Sequence, residues 1–132
     1  MQGLLRVLGA AAAVLLLVAG AAAARSVRSS LDIYFIDVEG GQSTLIVTPS
    51  GQSMLIDTGY AGFANRDANR ILEAAHDAHV DRLDYLLITH FHGDHAGGAP
   101  EVAKRLPVKT FVDYGEPIEK GDFAQTVFTA YA

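Results

Sequence analysis

The stretch DYLLITHFHGDHAGGAP, residues 84–100, constrains the fold more than any other part of the chain. Asp84 to Thr89 is an apolar run of strand length that leads directly into His90-Phe91-His92-Gly93-Asp94-His95. Gly97 and Gly98 close the cluster, and Pro100 suits the first turn of a helix expected to reach about Leu106. A buried strand, a polar loop and a helix in that order belong to an α/β fold. In open α/β sheets, ligands bind at the loop on a strand's carboxyl end. Three of the chain's five histidines stand in this loop.

The residue types point to metal ligation. His90 and His92 are two positions apart, so in an extended segment they face the same way and can grip one ion together. Gly93 permits a sharp turn, after which Asp94 and His95 project elsewhere and can reach a second ion. Phe91 faces away from both neighbours and can anchor the loop in the core. Imidazole and carboxylate donors suit zinc, and also iron or manganese. A close metal pair activates a bridging water and clamps the attacked group. A surface loop with chance histidines is the bland alternative, and the density of donors argues against it. His76 and His79, spaced i, i+3, read instead as polar residues at a helix C-terminus. Asp57 follows the apolar Met54-Leu55-Ile56, where a carboxylate is costly unless hydrogen-bonded. It can serve as a turn former or as a brace for the histidine loop, and the convergence of strand ends on one rim favours the brace. Asp37 and Glu39 read as turn and rim residues.

Around this core the pattern is one of short apolar runs. LDIYFIDV (31–38), STLIVTP (43–49) and SMLIDTG (53–59) are separated by turn residues and predict an antiparallel meander. Consecutive apolar residues at Leu45-Ile46-Val47 and Met54-Leu55-Ile56 predict strands covered on both faces. A helix follows, capped by Asn65 or Asp67, with Ala68, Ile71, Leu72, Ala75 and His79 on its apolar side. Strands over 84–90 and 108–114 then imply a right-handed βαβ unit beside the meander. A last helix can begin at Asp122.

The amino terminus is of another kind. One arginine, Arg6, precedes an 18-residue uncharged run rich in Ala, Leu and Val, and Ala21 to Ala24 fit an A-x-A cleavage rule. Residues 1–24 are therefore expected to be a signal peptide cut before Arg25, with residues 25–30 a short tether and the product exported to the periplasm or outside the cell. The alternative is an uncleaved membrane anchor, since the run sits at the lower limit for spanning a bilayer. Removing residues 1–24 shifts the net charge from −5 to −6. No basic stripe remains, so no nucleic-acid surface is expected. The chain has no cysteine, which excludes disulfides and thiolate ligands.

His90-x-His92-x-Asp94-His95, with the preceding strand LLIT and the earlier LIDTG, resembles the metallo-β-lactamase superfamily of hydrolases. The upstream stretch is similar to the branch that includes the metallo-hydrolase domain of DNA-uptake competence proteins. That branch typically reads Asp-Val-Gly-Gln-Gly-Asp, where this chain has Asp37-Val38-Glu39-Gly40-Gly41-Gln42-Ser43. The resemblance covers residues 31 to about 114. It implies an αββα sandwich with a two-metal site on one rim, of which residues 31–132 would form the N-terminal half. By position, His90 and His92 would hold the first metal, Asp94 and His95 the second, and Asp57 would support the loop. Asp94 is also the candidate catalytic residue. The implied reaction is hydrolysis of an ester, lactone, amide, thioester or phosphodiester by a metal-bound hydroxide, with two zinc ions as the expected cofactors and a small molecule as substrate.

The family pattern also calls for a later histidine, a bridging aspartate and a final histidine. No histidine follows His95, and Asp113 and Asp122 lie too early and lack the motif. The expectation is a truncated hydrolase with little or no activity alone. The competing expectation is a non-catalytic exported remnant that binds metal or a partner.

Overall fold

The computed structural model describes residues 28–118 and 121–132. The expected signal peptide, its cleavage site and the first half of the tether lie outside the described residues. Among the described residues no helix is long and apolar enough to cross a membrane.

Five strands form one sheet in which each lies beside its predecessor in sequence. They are β1 (Asp32–Phe35), β2 (Thr44–Val47), β3 (Ser53–Ile56), β4 (Leu83–Leu87) and β5 (Val108–Val112). The meander β1–β2–β3 is antiparallel, whereas β3–β4 and β4–β5 pair in parallel. Parallel neighbours need a crossover. The first is α1 (Arg66–Asp77), and the second is the single turn α2 (Gly93–Ala96) followed by α3 (Ala99–Arg105). A last helix, α4, spans Asp122–Tyr131. The expected α/β class, meander and crossover unit are all present.

The strands are shorter than their apolar runs suggest, because the residues beyond them leave extended geometry. Asp57 has φ 58° and ends β3 two residues before Gly59. Left-handed backbone is tolerated best by Gly, Asn and Asp, which fits this residue at this corner. Glu39 (φ 50°) and Gly40 (φ 98°) turn the chain between β1 and β2 in the same way.

The helix α1 begins without either expected cap. Asn65 precedes it in left-handed geometry and makes no side-chain cap bond. Asp67 lies inside the first turn, buried, and accepts hydrogen bonds from the Tyr60 amide (2.8 Å) and Arg66 Nε (2.6 Å). At the other end, Ala78 fills the buried position where the sequence pattern put His79, and His79 is exposed at φ 53°. His76, also exposed, lies 3.5 Å from Asp77.

One face of the sheet forms the core. Leu45, Leu55 and Leu86 are in register across β2, β3 and β4 and fully buried. They belong to one apolar cluster with Ala68, Ile71 and Ala75 of α1, Ala99 and Val102 of α3, and Ile88 and Phe91. Burying such side chains contributes about 1.5–3 kcal/mol each. The expectation of cover on both faces does not hold among the described residues. Ile33, Ile46, Met54 and Tyr85 are in register on the other face, and Ile33 and Tyr85 remain 48% and 39% exposed. Consecutive apolar residues supply both faces, whereas the helices cover only one.

Candidate metal centre

The donors sit where β4 ends. Ile88 still pairs with β5, its amide bonded to the Val112 carbonyl at 2.9 Å. The chain bends at Thr89, is extended at His92 (φ −83°, ψ 152°) and then turns into α2, which carries Asp94 and His95. Phe91 points into the core as expected. It is fully buried, with the rings of Phe128, Tyr131 and Tyr114 at centroid distances of 4.8, 5.3 and 5.5 Å. His90 and His92 therefore emerge together on the other side.

The four candidate donors form two pairs. His90 Nε2 lies 3.1 Å from His92 Nδ1, and His95 Nε2 lies 3.5 Å from Asp94 Oδ2. Adjacent donors on a tetrahedral zinc ion, each about 2.0–2.1 Å from the metal, are about 3.3 Å apart. Both pairs are close to that spacing. The rings of His90 and His95 lie 3.9 Å apart, so the pairs are neighbours. Among the described residues no group of three or more His, Asp or Glu side chains converges as a metal cage.

Asp57 lies beneath the loop, with no exposed surface. One carboxylate oxygen accepts the Thr89 amide (2.8 Å), and the other accepts the Thr89 hydroxyl (2.7 Å) and faces His95 Nδ1 (2.8 Å). A carboxylate only accepts, so it favours the His95 tautomer with its proton on Nδ1 and a free lone pair on Nε2, toward Asp94. The Thr89 hydroxyl, having donated to Asp57, can accept from His90 Nδ1 at 3.1 Å, which leaves His90 Nε2 free toward His92. Burial pushes the His90 pKa below its ordinary value, and the neighbouring His95 and His92 lower it further. Neutral imidazole is the form that binds metal.

The loop backbone is held as firmly as its side chains. The Thr58 amide and hydroxyl both donate to the His95 carbonyl (2.6 and 2.9 Å), and the Gln42 amide donates to the Asp94 carbonyl (3.0 Å). Glycine at 98 and 41 is required by close approach, not by a turn. A Cβ on Gly98 would lie 2.2 Å from the Thr58 carbonyl oxygen, and one on Gly41 would lie 2.5 Å from that of Asp94. Thr89, Thr58 and Gln42 are parts of the site that the sequence reading passed over. The only signal for the threonines was adjacency, Thr89 before His90 and Thr58 after Asp57.

The sequence matches the metallo-β-lactamase superfamily over residues 36–132, most of the chain. The chain belongs to that superfamily. It is 36% identical over 75 residues to a UPF0173 metal-dependent hydrolase of Thermodesulfovibrio yellowstonii, covering 57% of this chain and 26% of that protein. It is 32% identical over 90 residues to the atrochrysone carboxyl ACP thioesterase AgnL7 of Paecilomyces divaricatus, covering 61% and 27%. The chain thus spans about a quarter of the length of these relatives. Among solved structures, Rm3 metallo-beta-lactamase matches 65% of this chain and 33% of its own, at 24% identity and a TM-score of 0.48. These relatives are not competence proteins, so the superfamily stands and the expected branch within it is corrected.

Proposed function

We propose that this chain supplies part of the site of a metal-dependent hydrolase, with His90 and His92 holding one divalent cation and Asp94 and His95 a second. The observation that carries the reading is Asp57. A fully buried carboxylate set against His95 Nδ1, with a threonine relaying the contact to His90, turns two imidazole lone pairs outward. Zinc is the preferred ion for imidazole and carboxylate donors at this spacing, and iron and manganese accept the same set. A divalent cation held there supplies Lewis acidity and a water of lowered pKa.

The chain's own residues do the positioning. Asp57 fixes the His95 ring, Thr89 the His90 ring, and Thr58 and Gln42 the backbone of the second pair. Asp94, with its side chain 33% exposed, is the carboxylate that reaches the solvent side and so the candidate catalytic group, whereas Asp57 is sealed beneath it. The substrate class is an ester, lactone, amide, thioester or phosphodiester. The acidic balance of the chain disfavours a nucleic-acid partner, and the Ala-rich leader is read as an export signal.

Titration of the purified chain with zinc and cobalt, followed by elemental analysis, tests the reading. The expected result is up to two ions per chain, with the first lost in His90→Ala and the second in Asp94→Ala. A chain that binds neither metal, or variants that bind like the parent, would refute it. The two-and-two donor grouping favours one further reading, a metal-binding module without turnover. Metal bound at full stoichiometry without hydrolysis of any ester, lactone or phosphodiester probe would select it.

A further inference from the structure

The rim beside the candidate site carries a cluster of charges that the proposed chemistry does not use. Arg66 and Arg70, one turn apart on α1, reach across to the loop between β1 and β2. Glu39 bridges them, with Oε2 2.6 Å from Arg66 Nη1 and Oε1 2.9 Å from Arg70 Nη2. Arg70 also donates to the Asp37 carbonyl (2.8 Å) and lies 3.4 Å from the Asp37 carboxylate. Arg66 Nε donates to Asp67, whose other oxygen accepts the Tyr60 amide. Both ends of this cluster lead to the histidine loop. Glu39 and Gly40 turn the chain so that Gly41 presses on the Asp94 carbonyl and the Gln42 amide donates to it. The Gln42 carbonyl in turn accepts the Gly59 amide (3.0 Å), and the Gly59 carbonyl accepts the Gly98 amide (3.1 Å).

We propose that the Glu39–Arg66–Arg70 cluster is a positioning device that sets Asp94 for metal binding by fixing the loop beneath its backbone. The inference rests on the metal reading above. Two features separate it from ordinary surface charge. Isolated exposed ion pairs stabilise little, but here one carboxylate is shared by two guanidinium groups. Moreover, Glu39 adopts left-handed backbone (φ 50°), which a side chain with a Cβ disfavours, so the turn needs an external tie. The device is also selective. His95 is held separately by Asp57 and Thr58, and His90 by Thr89, so loosening the loop moves Asp94 before these two donors.

Cobalt titration of the full chain, followed by its visible d–d absorption, tests the device in Glu39→Gln. The expected result is a second cobalt equivalent weakened about three- to tenfold with the first unchanged. The difference should fade in high salt, because the pairs are exposed and screened. Arg105→Ala, which breaks the 3.1 Å pair with Glu101 on α3, serves as a control and should bind like the parent. Unchanged binding in Glu39→Gln, equal weakening of both equivalents, or a difference that persists in high salt would overturn the proposal. Should Glu39→Gln fail to fold, Arg70→Gln makes the same cut from the helix side and is read the same way. A parent chain that binds no cobalt at all would instead sink the metal reading, and this inference with it.

Discussion

Replacing Asp57 by asparagine changes one atom and no volume, yet it reverses what the site can donate and accept. The position is fully buried with φ 58°, a conformation that asparagine tolerates at least as well as aspartate, so the backbone has no reason to move. The amide oxygen can still accept the Thr89 N–H. The amide nitrogen then faces the Thr89 hydroxyl, which rotates to accept, and His95 Nδ1 at 2.8 Å, which carries a proton in the parent. Two donors cannot share that contact, so His95 must move its proton to Nε2, the nitrogen toward Asp94. Loss of the charged acceptor costs the metal-free chain about 1–3 kcal/mol. Loss of the lone pair on Nε2 weakens the second ion roughly 10–100-fold, about 1.4–2.7 kcal/mol. Long-range proton–nitrogen NMR reads the tautomer directly, and competition with a chelating dye reads the affinity. A variant that keeps the His95 proton on Nδ1, or binds both ions as the parent does, would refute this account of Asp57.

Two further outcomes follow from the same geometry. Gly98→Ala places a Cβ 2.2 Å from a backbone oxygen that cannot yield, and it should lower the urea midpoint by the equivalent of about 1–3 kcal/mol; an unchanged midpoint would mean that the contact between the two loops is loose. For the metal-free chain, His90 has a lowered pKa in the fold, so between that value and the unfolded value near 6.5 the unfolded chain binds more protons. Stability should rise with pH through that window and level off above it, with a shallower slope in His90→Gln, and a thermal midpoint that ignores pH between 5 and 8 would contradict the shift.

The sequence made some of this site plain and hid the rest for physical reasons. The donors were legible because they are contiguous, and alternation along an extended segment decides which of His90, Phe91 and His92 faces the core. Asp57 was legible as a misfit, a carboxylate at the end of an apolar run. Its left-handed backbone was not, so β3 was expected to run on to Gly59. The apolar runs revealed five strands without revealing that helices cover one face only. The capping of α1 was misread because Asp67 serves a distant amide, that of Tyr60, in place of its own helix. The Glu39–Arg66 pair joins residues 27 positions apart, and no local pattern marks such a partnership.

The sheet changes character at β3, antiparallel on one side and parallel on the other. Asp57 stands at that seam, and its grip on Thr89 closes a span of 32 residues that includes all of α1. The meander can form from neighbours, whereas this closure must wait for the crossover to dock, since long-range contacts carry a larger loop-entropy cost. On the proposed metal reading, capture of an ion at His95 is thereby tied to closure of the β3–α1–β4 crossover, not to the meander alone.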